Sequence, residues 1–562
     1  MYILKYFTIL TLLSFLSCNK DESTPFVTPI NDINISDENS SNDINTSDEN
    51  NNSVVVTSTF NQYDTDNDGL ADAYEADFNL TVGIIDANNS QLDPLFIEQW
   101  HLKNTLFPMA DINISPVWRE TLGTKEIVVS VVDTGIDTLH GDLNVDLNRS
   151  FRYSDLSSNC SPTTAQLYND NSGSAHGTAC AGIIAAKGWN GIGVRGIAPN
   201  ISLVGLNVFS KPDDDSFSSA LQRDGIDVSS NSWGGGGANW LFDDVVSVEA
   251  IRNGIMNGRD SKGISYIFAS GNDTANANFQ SILTSGYVVA VSAVDSTGKY
   301  ESYSDYGANI LVAAPGGAAN YNTNPAIVTT DLHGLSNGMD VYREHWDTPE
   351  NSEGDYTNSM NGTSAACPVV SGVVSLMLSV NNALTYRDIQ YILAITAKKN
   401  DSEDESWRYN GVDLPISDKY GFGLVDAASA VSVSKDFISL GAEITTSHLY
   451  DVNISIDTPN TVLLESEFEE DFTITQVQLE IKTNHDNNGK LKILLQSPSG
   501  TISTLAYGDT ILYDRYEPWT FLSVQFLNEK SKGVWRVYIL DEGESNSGEL
   551  QEWKITLKGY SR

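Results

Sequence analysis

The chain has 562 residues, of which 40% are apolar, so it is long enough to form several domains with packed cores. Its 74 acidic residues outnumber its 32 basic residues and give a formal net charge of −42. This charge excludes nucleic acids and anionic lipid surfaces as general binding partners, and it suits either calcium binding or the solubility of a secreted protein.

The first 17 residues are predicted to be a targeting segment. They read MYILKYFTILTLLSFLS, in which the apolar run is shorter than the roughly 20 residues that span a bilayer. Ser17 followed by Cys18 resembles the signal of bacterial lipoproteins, in which the cysteine is acylated. The resemblance implies a secreted protein anchored through Cys18 at the outer membrane or cell surface of a bacterium. The alternative is an ordinary signal peptide with an incidental cysteine.

Two further segments precede the first predicted domain. Residues 18–60 are rich in Asn, Asp and Ser, which predicts a disordered spacer. Residues 61–80 contain DTDNDGLADAYE, which resembles the calcium loops of EF-hands and thrombospondin type 3 repeats. Carboxylates fall at loop positions suited to Ca²⁺, and Gly69 permits the sharp turn; the predicted ligands are Asp64, Asp66, Asp68, Asp72 and Glu75. The alternative is an acidic, turn-rich linker.

Two structural domains are predicted after this loop. Residues 93–433 alternate near-continuous apolar runs with helical stretches, which predicts an α/β domain with a parallel sheet flanked by helices. Residues 440–562 contain short alternating segments separated by turns, which predicts an all-β, jelly-roll-like sandwich. After Cys18 only Cys160, Cys180 and Cys367 remain, and this odd number indicates no disulfide framework.

Three segments of the α/β region carry side chains suited to nucleophilic catalysis. They read IVVSVVDTGID (127–137), HGTACAGIIAA (176–186) and NGTSAACPVVSG (361–372). A serine hydroxyl attacks only when a base removes its proton, and the base needs a carboxylate that fixes its tautomer. We therefore predict Ser364 as the nucleophile, His176 as the base and Asp133 as the orienting carboxylate.

These three blocks, in the order Asp–His–Ser, resemble those of subtilisin-like serine proteases. The resemblance implies an endopeptidase that cleaves proteins or peptides through an acyl-enzyme intermediate. The segment FASGND at 268–273 resembles the oxyanion segment of the family, which implies that the Asn272 amide stabilises the tetrahedral oxyanion. Backbone groups of three consecutive residues are expected to pair with the substrate strand: Ser232, Trp233 and Gly234.

Segments outside these blocks resemble kexin- and furin-type proprotein convertases. Examples are DPLFIEQWHL at 93–102, YGFGLVDA at 420–427 and, in the region that resembles their C-terminal P domain, GVWRVYILD at 533–541. The resemblance implies a Ca²⁺ site made of three side chains, from Asp93, Asp142 and Asn190, and of three backbone carbonyls, from Lys187, Ile192 and Val194. The alternative for Asp142 and Asn190 is ordinary turn hydrogen bonding.

The main departure from the convertases concerns the residues that recognise the substrate. Convertases follow their Ser-Trp-Gly with proline and a run of acids that bind basic side chains, whereas Gly235, Gly236 and Gly237 stand here. A second acidic position of their pocket falls near Gln280. We therefore predict a protease without dibasic specificity. We also expect the protein to be a monomer and to need no organic cofactor. Two alternatives are a dibasic-specific processing protease and an inactive protease fold that serves binding or adhesion.

Overall fold

The structure is a computed structural model, and it describes residues 93–561 except 235–238, 320–323, 335–336, 340–348, 458–459, 511, 513–515 and 544–545. All described residues belong to one compact unit that spans residues 64–562. The predicted signal segment with Cys18, the spacer and the calcium loop at 64–75 lie outside the described residues, as do Gly235, Gly236 and Gly237.

The first domain is built on a parallel sheet. Its strands in chain order are β1 (Val128–Asp133), β2 (Phe151–Arg152), β3 (Ser202–Asn207), β4 (Val228–Asn231), β5 (Ser265–Ala269), β6 (Val288–Val294) and β7 (Ile310–Pro315). Their spatial order is β2-β3-β1-β4-β5-β6-β7, and every described pairing is parallel. All residues of β1 and β4 to β7 are buried, because helices cover both faces of a parallel sheet.

Helices surround this sheet. In chain order they are α1 (Ser115–Trp118), α2 (Thr164–Asn169), α3 (Asn171–Ser174), α4 (His176–Ala185), α5 (Asp214–Leu221), α6 (Val245–Ser261), α7 (Ser281–Thr284), α8 (Thr363–Val380), α9 (Tyr386–Thr396) and α10 (Ala427–Lys435). Helix α8 is the one described helix that is long and apolar enough to cross a membrane, but 83% of that window is buried inside the protein. Its apolar character therefore fits a core helix.

Short elements complete the first domain. Strands β8 (Ile327–Thr330) and β9 (Tyr356–Met360) form an antiparallel pair, as do β10 (Arg408–Tyr409) and β11 (Pro415–Ile416). Single 3-10 turns occur in this domain at Phe96–Glu98, Val208–Ser210, Ala277–Phe279 and Pro349–Asn351. The predicted α/β architecture is confirmed.

The second domain is a sandwich of two antiparallel sheets. Its strands are β12 (Ile444–Asp457), β13 (Thr461–Phe468), β14 (Thr473–Thr483), β15 (Leu491–Gln496), β16 (Ile502–Tyr507), β17 (Trp519–Ser523), β18 (Gly533–Asp541) and β19 (Ser547–Tyr560), with a 3-10 turn at Asn488–Lys490. One sheet has the order β12-β19-β14-β17 and the other β13-β18-β15-β16. Alternate residues of β13, β15 and β18 are buried between the sheets, as the alternating sequence pattern predicts.

Candidate active site

The first part of the site is a buried carboxylate–imidazole pair. Asp133 is the last residue of β1, and His176 is the first residue of α4. His176 Nδ1 lies 2.9 Å from Asp133 Oδ1 and 3.0 Å from Asp133 Oδ2. The Thr134 backbone N–H donates to the same carboxylate at 2.7 Å, and the Thr134 hydroxyl accepts from the Gly177 N–H at 3.1 Å. The pair is therefore fixed from both the strand and the helix.

Ser364 lies in the first turn of α8, where backbone N–H groups have no partner within the helix. Gly362, two residues before Ser364, has a φ of +95°, a left-handed backbone conformation that residues other than glycine rarely adopt. The Ser364 hydroxyl donates to the Ser232 carbonyl at 3.3 Å, and buried His176 Nε2 has no hydrogen-bond partner among the described residues. The hydrogen bond between Ser364 Oγ and His176 Nε2 is thus not formed in this conformation. Catalytic hydrogen bonds of this kind often form fully only when substrate binds.

The charge on Asp133 sets the basicity of the site. Burial lowers the pKa of His176, but the Asp133 carboxylate raises it more, so the pKa lies well above its usual range. Cys180 Sγ lies 3.9 Å from His176 Nδ1, and burial raises the pKa of this thiol. A buried, protonated thiol is a poor nucleophile, so its chemistry does not compete with that of the Ser364 hydroxyl.

Asn272 follows β5 and is oriented by the start of α8. Its Oδ1 accepts hydrogen bonds from the Thr363 backbone N–H at 2.9 Å and from the Thr363 hydroxyl at 3.0 Å. The oxygen is therefore used for positioning, which leaves the amide N–H group as the donor for a ligand. This amide and the Ser364 backbone N–H are the two kinds of donor that an oxyanion hole needs.

Residues 232–234, which are predicted to pair with the substrate strand, contact Ser364 at one end and border Gln280 at the other. The Ser232 hydroxyl donates to the Ser364 carbonyl at 2.9 Å, while the Trp233 ring packs against Phe217 at a centroid distance of 4.7 Å. Gly234 is exposed, and a Cβ built on it would lie 2.8 Å from Gln280 Oε1. Trp233 therefore anchors the strand, and Gln280 borders the position that Gly234 leaves open.

Asp142 and Asn190, two of the predicted calcium ligands, lie side by side. The Asn190 amide contacts Asp142 Oδ1 at 2.7 Å, and the Val194 N–H donates to Asp142 Oδ2 at 3.1 Å. Two further predicted ligand residues bind to this pair through their backbone N–H groups. The Lys187 N–H donates to the Asp142 carbonyl at 2.8 Å, and the Ile192 N–H donates to Asn190 Oδ1 at 3.2 Å. Burial raises the pKa of Asp142 to about 8, although the Tyr356 hydroxyl also donates to its Oδ2 at 3.3 Å. No ion pair among the described residues reaches Asp142, and a carboxyl group without a cationic partner fits a cation site.

Asp93 has a different environment. Both of its oxygens accept hydrogen bonds from protein groups, and its side chain forms a fully buried ion pair with Arg195. Burial raises the pKa of Asp93, and Arg195 opposes this effect. The charge of Asp93 is therefore matched within the protein, which distinguishes it from Asp142.

The sequence analysis did not identify three residues that are important to the site. Thr134 positions Asp133, and Thr363 positions Asn272. Both threonines stand in the DTG and GTS blocks and could have been found there. Arg195 had no such signal, because an isolated arginine is usually exposed.

Comparisons with known proteins identify the family of the chain. The sequence profile described as the subtilase family matches residues 124–423, and that of the proprotein convertase P-domain matches residues 474–557. The dibasic-processing endoprotease of Schizosaccharomyces pombe is 32% identical over 499 residues, which cover 84% of this chain and 66% of that protein. Kexin of Saccharomyces cerevisiae is 29% identical over 498 residues, which cover 84% of this chain and 56% of that protein. This chain thus spans less than two thirds of either yeast protein.

A solved structure shows the same fold. The serine protease of Aeromonas sobria superposes with a TM-score of 0.75 at 24% sequence identity, over 84% of this chain and 96% of that chain. The predicted resemblance to subtilisin-like proteases with a convertase-type P domain is confirmed by these matches.

Proposed function

Because the chain belongs to the subtilase family of serine endopeptidases, we propose that its chemistry is carried by Asp133, His176 and Ser364. The observation that carries this proposal is the buried His176–Asp133 pair, held at 2.9 Å beside the helix start that presents Ser364. The chain is thus an enzyme that acts on proteins or peptides, and the triad explains how it acts.

Each residue has a distinct step. Ser364 Oγ attacks the scissile carbonyl carbon while His176 Nε2 accepts the hydroxyl proton, and Asp133 stabilises the imidazolium that results. The oxyanion accepts hydrogen bonds from the Asn272 amide and the Ser364 backbone N–H. When the tetrahedral intermediate collapses, His176 returns the proton to the leaving amine. His176 then removes a proton from water, which attacks the acyl carbon, and His176 returns this proton to Ser364 Oγ as the ester bond breaks.

We further propose that the enzyme does not require a basic residue before the cleaved bond. Support comes from Gln280, whose neutral amide borders Gly234 and donates to the Ser270 carbonyl at 3.0 Å. The buried Asp305 nearby is held by the Asp273 and Ala275 N–H groups at 2.9 and 2.8 Å. Gln280 itself offers no negative charge to a lysine or arginine side chain at this position. The fission yeast relative is named for dibasic processing, which makes dibasic specificity the second candidate.

The location and the ion requirement are also proposals. The signal-like segment that ends before Cys18 supports a secreted, lipid-anchored protein at a bacterial cell surface. The loop at 64–75 and the uncompensated Asp142 support stabilisation by Ca²⁺. At Asp142 the ion would be held by the Asn190 side chain and by nearby carbonyls, and it would supply structural stability rather than chemistry.

The experiment that tests the triad is hydrolysis of a denatured protein by purified residues 19–562, beside a Ser364→Ala control. In subtilisin, loss of the nucleophile lowers kcat about 10⁶-fold, so the control should be inactive while retaining the same circular dichroism spectrum. A folded, calcium-loaded enzyme without activity would instead support the binding or adhesion alternative. Equal hydrolysis by the Ser364→Ala variant would remove Ser364 from the mechanism.

The substrate proposal needs a separate measurement. Cleavage of a peptide library, read by mass spectrometry, should show no enrichment of Lys or Arg before the cleaved bond. Strong enrichment of paired basic residues would overturn this proposal and favour the dibasic alternative, without affecting the triad.

A further inference from the structure

Arg195 is a buried cation in an unusual environment. Its side chain is 0% exposed, and its guanidinium carbon lies 4.1 Å from the ring centroid of Phe96 and 4.3 Å from that of Trp189. Two aromatic faces therefore enclose the planar group. Arginine is suited to such a position because its guanidinium is weakly hydrated and stacks on aromatic rings.

The acceptor of this cation is Asp93, whose side chain is also 0% exposed. Asp93 Oδ2 accepts from Arg195 Nε and from the Trp189 N–H at 2.7 Å, and Asp93 Oδ1 accepts from the Asn190 N–H at 3.0 Å. The carboxylate is thus satisfied by three N–H donors. One of these donors carries a full positive charge.

The backbone of Arg195 is fixed as firmly as its side chain. The Gln99 amide is fully buried, accepts from the Arg195 N–H at 2.7 Å and donates to the Arg195 carbonyl at 2.9 Å. This reciprocal pair of hydrogen bonds fixes the Arg195 backbone, while the side chain is held by Asp93 and by the two aromatic rings. If the guanidinium left this position, the buried Asp93 carboxylate would lose its cation.

From this geometry we propose that Arg195 is an internal replacement for the positive charge that the family resemblance assigns to Ca²⁺ at Asp93. The carboxylate that the resemblance names as a metal ligand is neutralised by the protein itself. Asp142 remains the carboxylate for a metal in this turn, so the ion is held with one negative charge fewer. Because calcium affinity depends on the number of charged ligands, this site binds Ca²⁺ weakly and contributes stability mainly at high calcium concentration.

The inference also has a consequence for folding. Asp93, Arg195 and Gln99 connect the start of the described chain to the loop after α4 through contacts that need no metal. This part of the protein should keep its structure when Ca²⁺ is removed. The inference does not depend on the triad, because it is tested by unfolding rather than by hydrolysis.

A double-mutant cycle on the full chain tests the proposal. Arg195→Leu, Asp93→Asn and the double variant are compared with the original protein by thermal unfolding, in chelator and in Ca²⁺. Each single change strands one buried partner, so the Tm in chelator should fall on the order of 5 °C. The double variant should recover part of this loss. Any effect of the loop at 64–75 is common to all four proteins and cancels in the cycle.

Calcium provides the second arm of the test. Arg195→Leu leaves Asp93 without a cation, so Ca²⁺ should raise its Tm more than that of the original protein. Arg252→Leu is the matched control, because its guanidinium is 50% exposed and pairs with Glu249 on the surface of α6; its Tm should not change. Additive single-variant losses in the cycle, or an equal Ca²⁺ response in the original protein and Arg195→Leu, would overturn the proposal. If Arg195→Leu does not fold, Arg195→Gln, which also removes the positive charge but keeps a hydrogen-bond donor, takes its place in both measurements.

Discussion

At the residue scale, the role proposed for Asn272 depends on how its amide is held. Asn272→Ala removes the proposed side-chain donor to the oxyanion but leaves the Ser364 backbone N–H in place. We expect kcat to fall about 10²–10³-fold with little change in KM. Thr363→Val is a milder companion variant, because the Thr363 N–H still orients the amide at 2.9 Å after the hydroxyl is lost. Steady-state kinetics would contradict the assignment if the two variants lost equal activity.

In the proposed mechanism, the pH dependence of activity reports the charge on His176. This residue accepts a proton only when it is neutral, and the adjacent Asp133 carboxylate helps to hold its pKa well above the usual range despite burial. Activity should therefore be full above that pKa and fall as the pH decreases through it. We expect the acid limb of kcat/KM to lie above pH 6.5. A limb below the ordinary histidine value, in protein shown to be folded at each pH, would contradict this expectation.

His101 should control acid stability independently of the triad. Its ring is fully buried, neither ring nitrogen has a hydrogen-bond partner among the described residues, and burial lowers its pKa to about 3. Below the unfolded-state value of about 6.5, the unfolded chain binds the extra proton. The contribution of His101 to stability is thus complete above pH 6.5 and decreases by about 1.4 kcal/mol per pH unit until about pH 3.

The measurement for this prediction is chemical denaturation at several pH values. His101→Leu removes the titrating ring and should reduce the pH slope of the unfolding free energy, while the acid limb of kcat/KM stays where it was. Identical slopes for the variant and the original protein would show that His101 is not the group involved.

At the scale of elements, the segment around Asn278 joins the active site to the sandwich. Asn278 Oδ1 accepts from the Leu522 N–H at 2.7 Å, the Asn278 carbonyl accepts from Trp519 Nε1 at 2.9 Å, and the Asn276 amide donates to the Leu505 carbonyl at 2.8 Å. The segment lies between Asn272 and Gln280 in the chain. The second domain therefore holds the segment between the residues proposed for the oxyanion and substrate contacts.

Asn278→Ala should weaken this connection. The change leaves the buried Leu522 N–H without its acceptor, so the free energy of unfolding should fall by about 1–3 kcal/mol. Asn278→Asp would place a carboxyl group without a cationic partner at this fully buried position, so it should lose at least as much. The control is Asn257→Ala on the exposed surface of α6, which should have no effect in the same denaturation experiment. Equal stability of Asn278→Ala and the control would contradict the role given to Asn278.

The same elements show what the sequence could predict. The strand that ends at Asp133 was recognisable because residues buried on both faces read as a continuous apolar run, and the triad blocks are local. The partner of Asn278 lies 244 residues away, and no local pattern announces such a contact. Arg195 was missed for a similar reason, since only the folded chain brings two aromatic rings and Asp93 around it.

At the scale of the whole molecule, the two domains share their apolar cores. Leu522, Val524 and Leu527 of the sandwich pack with the buried cluster of the catalytic domain. In the other direction, Phe279 and Ala308 of the catalytic domain pack with the core of the sandwich. The interface therefore resembles a continuous hydrophobic core more than a contact between independent domains.

Removal of residues 440–562 should consequently prevent stable folding of the catalytic domain. The truncated chain would expose Phe279 and Ala308 to water and would leave Asn278 without its partners from the second domain. Such newly exposed apolar surface favours aggregation over a soluble monomer. Expression of residues 93–439 beside residues 93–562, followed by size-exclusion chromatography and thermal unfolding, measures this. A soluble truncated protein with cooperative unfolding and undiminished kcat would contradict this prediction. The shared core would then contribute nothing that the catalytic domain needs, and the sandwich would instead serve substrates or partners.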